Sequence, residues 1–387
     1  MKFSAKRFFL GLLSLVGSVA LAACGNLQNA DLSGSDTSTS TSNKSASYQI
    51  TGNTDGTQYS ALLTDGKYKV STSRGLTVDQ NSNAFNLASF ESGLTTISKG
   101  TFSPEKYAFQ EGQYISRSTA NSWLKRESST NEEGLNPKDN GSTEPDKRAP
   151  IYLQEILEQD FLERTSTSYK IAGVTIGLGL NEIDYYQKVQ YGATFKTTIS
   201  QAEREKQGKE MATKILARLR KKKELANATI VFGLYKQAAN DSLVGGTYFA
   251  TAVSKSGTTI SEWKTLNQEN GVLPVVNNQK AINDGDADSF SNFKTKIQSF
   301  FPNLSGVTAQ THYENGTLQG MKIKISTQFF GVNEIQSFTQ YVDTAAKRYL
   351  PANIPIEITI SSVEGIQSFL SRESGDKDFY THVFSSY

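Results

Sequence analysis

Val307-Thr308-Ala309-Gln310-Thr311-His312-Tyr313-Glu314-Asn315-Gly316-Thr317-Leu318-Gln319-Gly320-Met321-Lys322-Ile323-Lys324-Ile325 carries two runs of alternating apolar positions around a single Asn-Gly pair. A period of two puts every second side chain on one face of a strand. Asn-Gly tolerates the positive backbone angles of a tight hairpin turn. The spacing therefore predicts strands over Val307 to Tyr313 and Met321 to Phe329, paired as a hairpin.

The same alternation extends outward to Thr229 to Tyr235, Thr247 to Val253 and Ile354 to Ile360. Between these segments lie helical stripes: Leu153, Ile156, Leu157 and Phe161; Met211, Ala212, Ile215, Leu216 and Leu219; Phe290, Phe293, Ile297 and Phe300; Ile335, Phe338, Val342 and Ala345. Hairpins interrupted by single helices predict the α+β class, with mostly antiparallel sheet and packed helices. Ile151 to Phe161 before Tyr169 to Leu180, and Ile335 to Tyr349 before Ile354 to Ile360, both read as a helix leading into an extended apolar strand, a hint of two related lobes. The charged helix starting at Gln201 divides them, giving lobes over 48–200 and 201–387. Asn131 to Ala149, with Pro137, Gly141 and Pro145, reads as a long surface loop.

Composition sets the limits. The 387 residues are 37% hydrophobic and 20% charged, which is ordinary for a globular chain long enough for two domains. A mean hydropathy of -0.44 excludes a polytopic membrane protein, since each crossing needs about 20 consecutive apolar residues. Lys2, Lys6 and Arg7 precede the apolar run, and without those three the 40 basic residues become 37 against 38 acidic ones. So neutral a chain lacks the basic footprint of general nucleic-acid binding.

The first 23 residues read as a secretory signal: a basic start, an uncharged run from Phe8 to Ala23, and then Cys24, the only cysteine. Leu21-Ala22-Ala23-Cys24 resembles the bacterial lipobox, in which small residues admit the chain to a peptidase that cuts between Ala23 and Cys24. A thiolate forms the thioether to diacylglycerol readily, whereas a serine would not serve. Two acyl chains hold a protein stably on a membrane, at about 0.8 kcal/mol per buried methylene. The Ser/Thr-rich run that follows, to Ser47, buries nothing and reads as a disordered tether. The expectation is a lipid-anchored protein on the extracellular face of the cell membrane.

Several segments carry a family likeness: Tyr107 to Gln113, Gly134 to Pro137, Ile151 to Asp160, Gly173 to Asn181, Phe301 to Val307 and Phe338 to Val342. Spread over nearly all of the mature chain, they resemble the CamS family, lipoprotein precursors of the cAM373 sex pheromone type from Gram-positive bacteria. The resemblance implies two related repeats and no catalytic residues or cofactors. It also implies that proteolysis releases a hydrophobic peptide of seven or eight residues from the signal peptide, to induce conjugation in responding cells. On this sequence that peptide is Val16-Gly17-Ser18-Val19-Ala20-Leu21-Ala22-Ala23, or the version starting at Gly17. The implied partners are the membrane, the lipoprotein-processing enzymes and a pheromone receptor.

Other constellations point to bland chemistry. His312 and His382 are the only histidines, which gives a histidine dyad little support. Asp284, Asp286 and Asp288 alternate as calcium loops begin, but Ser289 and Thr295 stand where that motif needs glycine and glutamate, so a helix cap is expected. Ser122 to Lys125 and Ser291 to Lys294 match S-x-x-K, and Lys255-Ser256-Gly257 resembles K-T-G, in an order that does not suit a serine enzyme. Gly173, Gly177 and Gly179 sit in an apolar extended run and read as bulges or close packing. Arg218, Arg220 and Lys221 to Lys223 read as a helix end, with contact to anionic lipid or wall polymer as the other reading. The mature chain is expected to be non-enzymatic; the alternative function is an envelope lipoprotein that binds a peptide, glycan or wall polymer.

Overall fold

Two long hairpins, each followed by one crossover helix, organise the chain. The computed structural model describes residues 47–52, 56–78, 83–166, 168–277, 279–300 and 306–385. Cys24, the lipobox, the candidate peptide Val16 to Ala23 and the tether to Ala46 lie outside the described residues, as does the family-like stretch Phe301 to Ser305.

A small sheet of β1 (Tyr48–Ile50), β2 (Leu62–Thr64) and β3 (Lys67–Tyr68) precedes α1 (Ala84–Lys99). The first lobe then runs through β4 (Tyr107–Glu111), α2 (Arg117–Leu124), β5 (Leu153–Arg164), β6 (Tyr169–Asn181), the hairpin β7 (Ile183–Gln187) and β8 (Thr194–Thr198), α3 (Gln201–Leu219), β9 (Thr229–Gln237), β10 (Thr247–Ser254) and β11 (Lys264–Thr265). The second has β12 (Gln268–Leu273), α4 (Asp284–Gln298), β13 (Gly306–Glu314), β14 (Thr317–Ser326), α5 (Val332–Tyr349), β15 (Ile356–Ser362), β16 (Gly365–Arg372) and β17 (Tyr380–Val383).

The sheets have the same order and sense. In the first, β4-β5-β6-β9-β10-β11 is antiparallel throughout except where α3 makes β6 and β9 parallel. In the second, β12-β13-β14-β15-β16-β17 repeats this, with α5 making β14 and β15 parallel. The α+β class with mostly antiparallel sheet and two related lobes is therefore what the chain adopts. The sheets part between Thr265 and Gln268, not at Gln201, because the helix starting there is the crossover inside the first sheet and packs on it.

The quoted hairpin forms as expected: Asn315 and Gly316 have φ of 50° and 74°, and Val307 pairs with Ile325. In α4, Asn283 caps the helix by accepting from the Asp286 amide, and Asp284 and Asp286 stand in the first turn, where acids suit the dipole. The stripe of α5, Ile335, Phe338, Val342 and Ala345, is buried against the second sheet with Phe290 and Phe293 of α4.

One expected helix is a strand. Leu153 to Phe161 falls in β5, a central strand enclosed on both faces, so its polar residues Gln154, Glu155, Glu158, Gln159 and Asp160 are as buried as its apolar ones. The apolar set at spacings of three and four is what remains after those five positions. The counterpart of Ile151 to Phe161 is therefore β13, not α5.

Sheet one is covered twice. On one side Met211, Ile215, Leu216 and Leu219 of α3 and Trp123 and Leu124 of α2 meet Val174, Ile176, Leu178, Phe232 and Leu234. On the other, Phe90 and Leu94 of α1 meet Leu157, Tyr235 and Tyr248, and Phe102 meets Phe161 and Val231. The glycines of β6 make that second layer fit. A methyl on Gly177 would lie 2.9 Å from both the Phe90 ring and the Tyr248 hydroxyl, and one on Gly173 would lie 2.5 Å from the Phe102 ring.

Candidate functional site

The parallel pair of the first lobe ends where ligands commonly bind in sheets with crossover helices, at the carboxyl ends of the strands beneath the helix N-terminus. There Ser200 caps α3, its Oγ accepting from the Glu203 amide at 3.2 Å. A cleft of about 550 Å³ opens beside it. Gln201 and Arg204 of α3, Lys236 of β9, and Thr247 and Phe249 of β10 form the first lobe's wall. The opposite wall is Leu266 to Glu269 and the hairpin tip Asn315-Gly316 of the second lobe.

Arg204 is only 5% exposed. Its Nη1 donates to the Ile199 carbonyl at 3.0 Å, while its buried Nε has no partner. The guanidinium carbon lies 5.7 Å from the centroid of the Phe249 ring. Burial lowers its pKa, and the Glu182 charge pulls it back up. Lys236, on the same wall, sits 3.7 Å from Glu182, with both side chains more than a third exposed.

The seam around the cleft is built from carboxamides. Asn267 Nδ2 donates to Asn315 Oδ1 at 2.9 Å, and the Asn315 amide donates to the Asn267 carbonyl at 2.8 Å. Gln268 Nε2 donates to Glu314 Oε1 at 2.8 Å, and Thr247 Oγ1 to the Gln268 carbonyl at 3.1 Å. Asn270 Nδ2 reaches the carbonyls of Gly245 and Gly246 at 2.9 and 3.0 Å, crossing between the lobes. His312 Nδ1 lies 2.7 Å from Asn270 Oδ1, so the ring holds that bridging amide. Burial lowers the His312 pKa, which keeps the ring neutral near pH 7.

Three carboxyls inside the first lobe were not singled out from the sequence. Glu158 accepts from the amides of Tyr114 and Ile115, the latter at 2.7 Å, and Asp160 Oδ2 from that of Gln113 at 3.0 Å. Burial pushes both carboxyls up, and each hydrogen-bonds the other. Both are enclosed by protein and do not line the inter-lobe cleft, so the pair acts as a clamp on the segment entering α2. Glu155, pushed to about 7 by burial, is met by Gln237 Nε2 at 3.4 Å.

The other candidates are engaged elsewhere. Ser122 Oγ donates to Asn131 Oδ1 at 2.6 Å. Arg218 donates to the Glu133 carbonyl at 2.9 Å and lies over the Trp123 ring. Arg220 donates to the carbonyls of Leu225, Ala228, Ser254 and Gly257, which ties down the end of α3 instead of offering a free cation. Among the described residues no cluster of three His, Cys, Asp or Glu is placed to hold a metal, and no helix is long and apolar enough to cross a membrane. Arg204 escaped notice, although it stands four residues before Gly208 and in line with the buried stripe of α3, where a charge is out of place.

Fold and cleft define a duplicated α+β protein with a polar crevice between its lobes. The chain belongs to the family of CamS sex pheromone cAM373 precursors, whose model matches residues 68–378. It is 51% identical to a sex pheromone precursor from Lactobacillus salivarius subsp. salivarius, whose crystal structure superposes with a TM-score of 0.84 over 88% of this chain and 100% of that one. The C-terminal domain of the staph-cAM373 precursor from Staphylococcus aureus is 29% identical, with a TM-score of 0.68 over 79% of this chain and 98% of its own. No curated protein matches significantly.

Proposed function

We propose that the chain is a lipoprotein anchored through diacylglycerol on Cys24 to the outer face of the cell membrane, with a signal peptide that is processed to a secreted peptide ending at Ala23. Membership of the cAM373 precursor family over residues 68–378 carries this reading, and the sequence Leu21-Ala22-Ala23-Cys24 supports it. Lipoprotein signal peptidase cuts before Cys24, and further proteolysis trims the freed segment to Val16 to Ala23 or Gly17 to Ala23. A peptide of that size without ionisable side chains enters a receptor groove with no charge to desolvate beyond its two termini. The mature domain has a non-enzymatic role.

Mass spectrometry of culture supernatant from the parent strain and from a Cys24→Ala strain tests this. The expected result is a seven- or eight-residue peptide ending at Ala23 in the parent alone, with lipid on Cys24 of the cell-bound protein. Protein that keeps residues 1 to 23 and carries no lipid would sink the proposal. A synthetic copy of the peptide added to responding cells then reads out conjugation directly.

A further inference from the structure

We propose that the cleft between the lobes binds an anionic polyol, a sugar or sugar alcohol carrying phosphate or carboxylate, with Arg204 as its anchor. This goes beyond the precursor reading, since it assigns a site to the mature domain whether or not the signal peptide becomes a pheromone.

The argument begins with an unpaired charge. Burying a cation costs free energy unless an anion or several acceptors compensate. Arg204 is 5% exposed, makes one hydrogen bond, to the Ile199 carbonyl, and has no ion pair among the described residues. Its Nε is buried without an acceptor. The Phe249 ring offsets part of this as a cation–π partner. The rest of the compensation falls to something in the cleft that Arg204 lines. The α3 N-terminus stands on the same wall; Lys236 there is met by Glu182 at 3.7 Å and Glu269 stands opposite, so it is Arg204 with the helix end that draws an anion. Arginine suits either anion, because its planar fork meets phosphate or carboxylate with two parallel bonds.

Around that anchor the lining suits hydroxyl groups. Gln201 and Asn315 are exposed and line the cleft, and among the described residues the Gln201 carboxamide and the Asn315 Nδ2 make no hydrogen bond. Carboxamides both donate and accept, as hydroxyls do. Phe249 and Leu266 supply the apolar surface on which the C–H face of a sugar ring can rest. A volume of about 550 Å³ admits one or two sugar units.

Titration of the mature protein in detergent, followed by calorimetry or amide NMR, tests the site. Glucose 6-phosphate and glucuronate are the probes, with glucose and inorganic phosphate as controls. Saturable binding of both anionic sugars is expected, at least tenfold tighter than either control. Gln201→Glu adds a negative charge at an exposed position of a helix N-terminus, where it favours the helix. It is expected to weaken both probes at least tenfold without lowering Tm. Arg204→Met should abolish binding. Absence of saturation at millimolar probe, equal affinity for a control, or binding indifferent to Gln201→Glu would each overturn the proposal. None of these readouts depends on whether Cys24 is lipidated.

Discussion

In the first lobe α1 lies across the sheet face that the second lobe leaves to solvent, and the strands differ accordingly. Residues 174–181 of β6 are buried without a break. In β14, Leu318, Met321, Ile323 and Ile325 are buried while Lys322 and Lys324 are exposed. Lys322 on that open face pairs with Glu357 of the neighbouring strand, at 3.2 Å, with both ends more than half exposed. One topology thus supports both a two-sided and a one-sided core. The difference is set by a helix outside the repeat, and it is recorded as glycines and buried carboxyls in one sheet and as alternation in the other.

The contrast breaks most sharply at Phe90, which is fully buried between Tyr235 and Tyr248. Phe90→Ala is expected to cost about 3 to 5 kcal/mol. Denaturant unfolding should show the loss, and hydrogen exchange should place the loosening in β6, β9 and β10 while β13 to β15 stay protected. Equal loosening of both sheets would mean that the lobes share one core.

Next in size is a pH effect confined to the first lobe. An unfolded Glu155 loses its proton near 4.5, whereas the folded one holds it to about 7. Between those values the native state binds the extra proton, so stability falls as pH rises from about 4.5 to about 7 and is flat above. The shift corresponds to something on the order of 3 kcal/mol. Glu155→Gln should therefore raise Tm at pH 8, leave it nearly unchanged at pH 4.5, and flatten the slope between. A Tm unchanged at pH 8 would show that water already reaches the carboxyl.

Glycines sharpen the comparison further. Gly177→Ala pushes a methyl into the Phe90 ring and should cost about 1 to 3 kcal/mol. Gly320→Ala in β14 meets nothing closer than Pro355 at 3.6 Å and should be neutral or stabilise by about 0.5 kcal/mol, since it removes only unfolded-state freedom. Thermal melts of the two variants, measured side by side, check the difference in sign. Smallest of all, Lys324→Ala on the open face should shift stability by less than about 0.5 kcal/mol. A larger loss would mean that something covers that face.

The second lobe was the more legible from sequence, and its open face is the reason. Solvent on one side enforces polar residues at every second position of β13 and β14, so period and register show without a partner. In β5, by contrast, Glu155, Glu158 and Asp160 look like the polar face of an amphipathic helix until backbone amides 113–115 and Gln237 are seen to meet them. α1 went unread because its contact with the sheet rests largely on Phe90 and Leu94. α3 was read correctly, yet assigned to the wrong lobe, since periodicity reports which face is apolar and not which sheet it meets.

The α+β class, the Asn315-Gly316 hairpin, the stripes of α3, α4 and α5, and the family are all legible in the residues alone, because each is written in neighbouring residues or in motifs spread along the chain. Tertiary structure alone decided where the lobes divide, that β5 is a strand, and that Arg204 and Asn315 face one cleft from different lobes. Those outcomes depend on which surfaces meet across long stretches of chain, and burial there reverses what a local polar residue would otherwise mean.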